Sequence, residues 1–150
     1  MHGIWGSFWI GYGILWAFAA AGALKLPTVH FPELGFWFVV LAAITWSGAV
    51  AALYENVALF AVLSTLAAGS TLAAIGFMNG ISGVEKAAGW VFAFSAFFAW
   101  YTATAMMLEG TFRRVVLPLG KWKSVANVPG HKVVDPIEYP DGMPGVRVGQ

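Results

Sequence analysis

The sequence predicts an all-α membrane protein: four transmembrane helices joined by short loops, followed by an irregular carboxyl-terminal tail. Three observations carry this expectation. Hydrophobic residues form 59% of the chain and charged ones only 10%, with a mean hydropathy of +0.75; soluble domains carry about 25% charged and about 45–50% apolar residues. A chain of 150 residues leaves much of its area exposed after folding, so this much apolar surface requires lipid as its solvent. The apolar residues also fall into four runs, each meeting the roughly 20 residues needed to cross about 30 Å of hydrocarbon. None shows the apolar–polar alternation of a membrane-barrel strand.

The first run, 4–24, contains no charged residue and is followed by Lys25 and Pro27. It is too long for the apolar region of a signal peptide and no basic stretch precedes it, so it reads as a retained span. The second, 35–54, follows the break at Pro32-Glu33, the third covers 57–78 and the fourth 87–108. The connections 25–34, 55–56 and 79–86 are short enough to make consecutive helices antiparallel neighbours. Residues 1–119 therefore form the transmembrane domain. From 120 to 150 the composition changes: Pro129, Pro136, Pro140 and Pro144 alternate with Gly130, Gly142 and Gly145, which cannot sustain a long helix. The segment 111–123 mixes basic and apolar residues, a composition suited to the headgroup level.

Arg113, Arg114, Lys121, Lys123 and Lys132 follow the last span, while the first and third loops hold one lysine each. The positive-inside bias places the tail on the cytoplasmic side of the cell membrane, and four spans return the amino terminus to the same side.

Several function classes are excluded. A net charge of +1 is no footprint for nucleic acid. Without cysteine there is neither a disulfide framework nor a thiolate nucleophile. His2, His30 and His131 are scattered between the amino end, a loop and the tail, so no metal site is expected. No hydrolase, zinc-protease, Walker or dinucleotide motif occurs, and neither enzyme chemistry nor a cofactor is expected.

Helices associate in lipid through small residues that allow close approach. The third span is rich in them (Ala67, Gly69, Ser70, Ala73, Ala74), and Gly76 and Gly80 form a G-x-x-x-G pair; the first carries Gly6, Gly11 and Gly13. We read these as packing positions, with a pore lining as the alternative. Trp5, Trp9, Trp37 and Trp90 lie near span ends and suit an interfacial belt. Trp16, Trp46 and Trp100 lie deeper, where core packing is expected and each indole N–H needs a partner. Ionisable residues stay at span ends, Glu109 and Arg113 forming a helix-end ion pair at i and i+4. The spans are otherwise polar only through neutral groups such as Ser7, Tyr12, Thr45, Thr65 and Tyr101. Such groups can hydrogen-bond a small solute, although Ser and Thr also bind their own helix carbonyls.

Three segments together carry a resemblance. Trp5-Gly6-Ser7-Phe8-Trp9 is similar to a Tyr-Gly-Ser-Phe-Trp motif; Ala88-Gly89-Trp90 opens the last span; and Phe112-Arg113-Arg114-Val115-Val116-Leu117-Pro118-Leu119-Gly120 is close to F-G-R-T-V-L-P-x-G. In this order and spacing they resemble helices three to six of the acetate uptake transporter family, the SatP/YaaH-like acetate/succinate channels and proton symporters. The resemblance covers roughly residues 4–120.

It implies a membrane protein passing small monocarboxylate anions through a pore within each protomer of a homo-oligomer, hexameric in the family. Trp5, in place of the family's tyrosine, and Leu66 would form the pore constriction. Ser7, Tyr12, Thr65 and Tyr101 are expected to line it. The family has six helices with an N-P-A-P-L-G-L signature before the first, and this sequence aligns from the third. Its usual last-helix carboxylate aligns with Met106, with Glu109 a turn later. The departures frame an alternative: a non-transporting scaffold or accessory subunit, with a partner membrane subunit supplying the other helices.

Overall fold

The computed structural model describes residues 2–120, apart from Thr28 and Arg113. Four helices follow one another: α1 (His2–Ala20), α2 (Pro32–Ala52), α3 (Val57–Asn79) and α4 (Ser82–Phe112). All four are long and apolar enough to cross a membrane.

Local chemistry sets their ends. The apolar run of α1 continues to Leu24, yet the helix stops at Ala20 because Gly22 adopts φ 74°. The Gly22 N–H then donates to Ala19 O and the Ala23 N–H to Phe18 O, both at 3.0 Å, the pairing that satisfies the last carbonyls of a helix. Pro32, which reads as a break in sequence, is instead the first residue of α2. At that position its missing N–H costs nothing and its fixed φ suits the helix, while Glu33 beside it favours the positive end of the dipole.

Gly80 takes φ 67° and caps α3, with its N–H donating to Gly76 O. The Gly76/Gly80 pair is therefore not a packing motif: Gly76 packs and Gly80 turns the chain. That tight turn leaves only Gly80 and Ile81 between α3 and α4, and α4 starts at Ser82.

The centre of the molecule is α3, packed between α2 and α4. Its buried positions are small: Ala67, Gly69, Ser70, Ala73, Ala74 and Gly76. Their smallness lets large neighbours in. A Cβ on Gly69 would lie 2.8 Å from the ring of Phe92, and one on Gly76 would lie 2.7 Å from Glu85 Cγ and 3.1 Å from the Glu85 backbone nitrogen. Hydrogen bonds cross the same seams. Ser95 Oγ donates to Val62 O at 3.0 Å between α4 and α3, and Trp46 Nε1 donates to Thr71 Oγ1 at 3.3 Å between α2 and α3.

The first helix is held differently. Its glycines 3, 6, 11 and 13 face open space, with nothing within 4 Å of an added Cβ. It docks instead through Trp5 and Phe8, which enter a core with Leu34, Phe38, Leu41, Ala73, Ala74 and Ala88. Only 11% of its apolar window is buried, against 39% for α2 and 33% for α3, so α1 is the least embedded helix.

Trp9, Trp37 and Trp90, near span ends, are exposed, but the other described tryptophans run opposite to the expectation from position. Trp5, near a span end, is buried; Trp16, Trp46 and Trp100, deeper in their spans, are exposed. Depth along a helix and the side of the helix are independent, and in lipid an outward indole meets an apolar solvent.

Gly76→Ala should force α3 and α4 apart, because backbone stands on the far side of the glycine, at about 1–3 kcal/mol for overpacking. Gly13→Ala should leave stability unchanged or slightly raised. Thermal unfolding of the two variants in detergent checks both, with a fall in midpoint expected for Gly76→Ala alone.

Candidate functional site

An aromatic cluster forms where side chains of α1 meet those of α2 and α4. Trp5 stands edge-on to Phe8 and Phe92, with ring centroids at 5.9 and 6.2 Å, and stacks on Trp9 at 6.2 Å. Phe38 touches both Phe8 and Phe92, at 5.1 and 5.9 Å. Leu66 and Tyr12, each half-buried, pack against the hydrophobic core that contains Trp5 and Phe8. The two residues expected at a constriction thus share one apolar cluster.

The indole of Trp5 has a polar anchor within it. Trp5 Nε1 donates to Thr45 Oγ1 at 3.0 Å, and Thr45 Oγ1 donates to Leu41 O at 2.6 Å. Thr45 has no exposed surface. A buried indole N–H needs such an acceptor, since hydrocarbon supplies none. Beside the cluster a cleft of about 370 Å³ opens between α1 and α2, with Ser7, Gly11, Tyr12 and Leu15 on one wall and Leu34 and Trp37 on the other.

The expected polar lining is dispersed. Ser7 and Tyr12 share the cleft, and Ser7 Oγ donates to Ile4 O at 3.0 Å. Thr65, next to Leu66 on α3, donates to Ala61 O at 2.6 Å. Tyr101 lies on α4 away from the cleft, and its hydroxyl donates to Pro118 O at 2.7 Å. Glu109 is half-buried near the end of α4, and Arg113, its expected partner, lies outside the described residues. So do residues 121–150, the expected tail. Among the described residues, no three His, Asp or Glu side chains converge as a metal site would require.

The Tyr101 bond belongs to a second arrangement. Beyond α4 the chain turns back, and the first two N–H groups of α3 donate to it: Val57 N to Gly120 O at 3.3 Å and Ala58 N to Leu119 O at 3.0 Å. Leu119 is buried. Asn56 Oδ1 accepts from Leu59 N at 2.8 Å. Three of the four donors that a helix start leaves open are thereby satisfied. Residues 114–120 act as a strap tying the end of α4 to the start of α3.

Sequence reasoning passed over Thr45, Phe92 and Asn56. Thr45 was one of several span hydroxyls. The signal that could have singled it out is the need of a Trp5 N–H for an acceptor on the antiparallel neighbour.

The GPR1/FUN34/yaaH family matches residues 2–121. The chain belongs to that family, the acetate uptake transporters. No curated protein matches it.

The match includes the strap, whose role can be measured. Tyr101→Phe removes the hydroxyl that holds Pro118, a loss of about 0.5–1.5 kcal/mol for one hydrogen bond. Amide hydrogen exchange at Val57 and Ala58 should accelerate by about two- to tenfold. Exchange at Ala73, in the middle of α3, should not change.

Proposed function

We propose that this member of the GPR1/FUN34/yaaH family is a transporter, not an enzyme, and passes small carboxylates of the acetate/succinate class or related anions through a pore within each protomer. The single observation that carries the reading is the family match over residues 2–121. The packing of Leu66 against the hydrophobic core that contains Trp5 supports placing the constriction there.

The chemistry follows from the residues. An apolar constriction excludes a large hydrated solute and admits a short acid that can shed its water. An anion losing water in a low-dielectric passage needs hydrogen bonds in return. Ser7, Tyr12, Thr65 and Tyr101 are assigned that role. Three of these hydroxyls donate to backbone carbonyls at rest, so each would turn its hydrogen to a passing carboxylate. Glu109 and Arg113 are assigned to a helix-end ion pair.

The protein would sit in the cell membrane with both termini cytoplasmic, as the basic residues after α4 favour. It would assemble as a homo-oligomer, hexameric as in the family it resembles.

A second reading rests on α1. With 11% of its window buried and its glycines facing outward, this helix has a face suited to another helix. In that reading the chain is a scaffold or accessory subunit whose partner covers α1.

Purified protein in liposomes should take up labelled acetate above protein-free vesicles, and Leu66→Ala should change the rate by severalfold. Correctly inserted protein with no uptake that co-purifies as a stable hetero-complex would establish the scaffold instead.

A further inference from the structure

We infer that Thr45 is a positioning residue for the passage: its hydroxyl fixes the orientation of the Trp5 indole and thereby sets which monocarboxylates pass. The inference rests on the constriction proposed above and adds a residue on a different helix.

A threonine in a helix has restricted χ1 rotamers, and donation to the carbonyl four residues back selects one of them. Thr45 makes that bond to Leu41 O at 2.6 Å. Its hydrogen is committed, so toward Trp5 it can only accept, and the selected rotamer fixes where its two lone pairs point. Trp5 Nε1 meets it at 3.0 Å. Among the described residues this is the one hydrogen bond from α1 to another helix.

The aromatic neighbours cannot do the same work. Phe8, Trp9 and Phe92 define a slot for the ring. A ring turned over within that slot would keep much of its apolar contact while aiming its N–H and its six-membered edge elsewhere. Only the acceptor on Thr45 distinguishes the two placements, because a buried indole N–H without a partner is costly. The loose seating of α1 sharpens the point. With few backbone approaches to hold this helix, the Trp5 anchor also restrains the helix that carries the constriction.

The test uses the full chain in lipid. Thr45→Val keeps the shape and deletes the acceptor, whereas Thr45→Ser retains it. Two readouts are taken. The first is the indole N–H resonance of Trp5 in protein labelled with ¹⁵N-tryptophan, assigned by its disappearance in Trp5→Phe. The second is uptake of labelled acetate and butyrate into liposomes.

In Thr45→Val the resonance should move and exchange faster with solvent. Uptake of butyrate relative to acetate should rise by about threefold, the equivalent of about 0.6 kcal/mol for one hydrogen bond in a membrane. Thr45→Ser should restore both. Trp5→Phe, which leaves the Thr45–Leu41 bond intact and orphans no donor, should shift selectivity in the same direction. Adding Thr45→Val to it should change selectivity no further, since the partner is already gone.

A purely structural role would lower stability in Thr45→Val without altering the butyrate-to-acetate ratio, and that result overturns the inference. So does an unmoved Trp5 resonance, or an additive effect in the double variant. If Thr45→Val does not fold, Trp5→Phe decides alone: unchanged selectivity overturns the inference. Absence of acetate uptake by the unsubstituted protein overturns the transport reading, and the passage role of Thr45 falls with it. Uptake that is present but indifferent to these substitutions overturns the positioning role only.

Discussion

Hydrocarbon offers no hydrogen-bond partner to a buried polar group and no hydrophobic force between apolar helices, so a bundle in lipid must cohere through close approach and internal hydrogen bonds. The helix α3 answers the first demand. Its buried face is alanine, glycine and serine, and Phe92 and Glu85 lie where a side chain on Gly69 or Gly76 would stand. Close approach brings many weak dispersion contacts into range at once. The arrangement of α2 and α4 follows, since each packs on α3.

Polar groups show the second demand. Ser70, Thr71 and Thr102 donate to carbonyls of their own helices, while Trp5, Trp46 and Ser95 find acceptors on neighbours. The two threonine–indole bonds involve neighbouring positions of α2: Thr45 receives Trp5 from α1, and Trp46 donates to Thr71 on α3. At this level α2 is tied on both sides. One tie is buried and the other faces outward, so they differ in consequence. Losing an acceptor in the buried pair leaves a donor with nothing to replace it, whereas an outward indole has more freedom to find another partner.

The number of helices, their order and their antiparallel sequence were legible because length and apolarity suffice to define a span. Family resemblance was legible because three short motifs recur at matching separations, and it is substantiated over residues 2–121. What hydropathy could not report is direction around each helix. Trp5 and Trp16 lie on the same span, yet one is buried and the other is 41% exposed. Nor could spacing alone separate a packing glycine from a capping one: Gly76 and Gly80 fit one pattern and serve two purposes. The Thr45 anchor is invisible for the same reason, being a relation between two helices that no local pattern encodes.

The strap bears on how the cluster is held. A helix start buried in a bundle must have its first N–H groups satisfied, and α3 begins at Val57, a residue with no capping side chain of its own. Asn56 meets part of this need, and the carbonyls of Leu119 and Gly120 meet the rest. The close fit at Gly120, where a Cβ would approach Val57 to 2.9 Å, explains why the smallest residue ends the motif. Leu66 lies on the same rigid helix, a few turns beyond this start. The carboxyl-terminal motif and the core are therefore mechanically linked although far apart in sequence: the strap ties down the start of α3, and α3 carries Leu66 to the hydrophobic core that contains Trp5. The motif by which the family resemblance was read is thus also a structural part of the bundle.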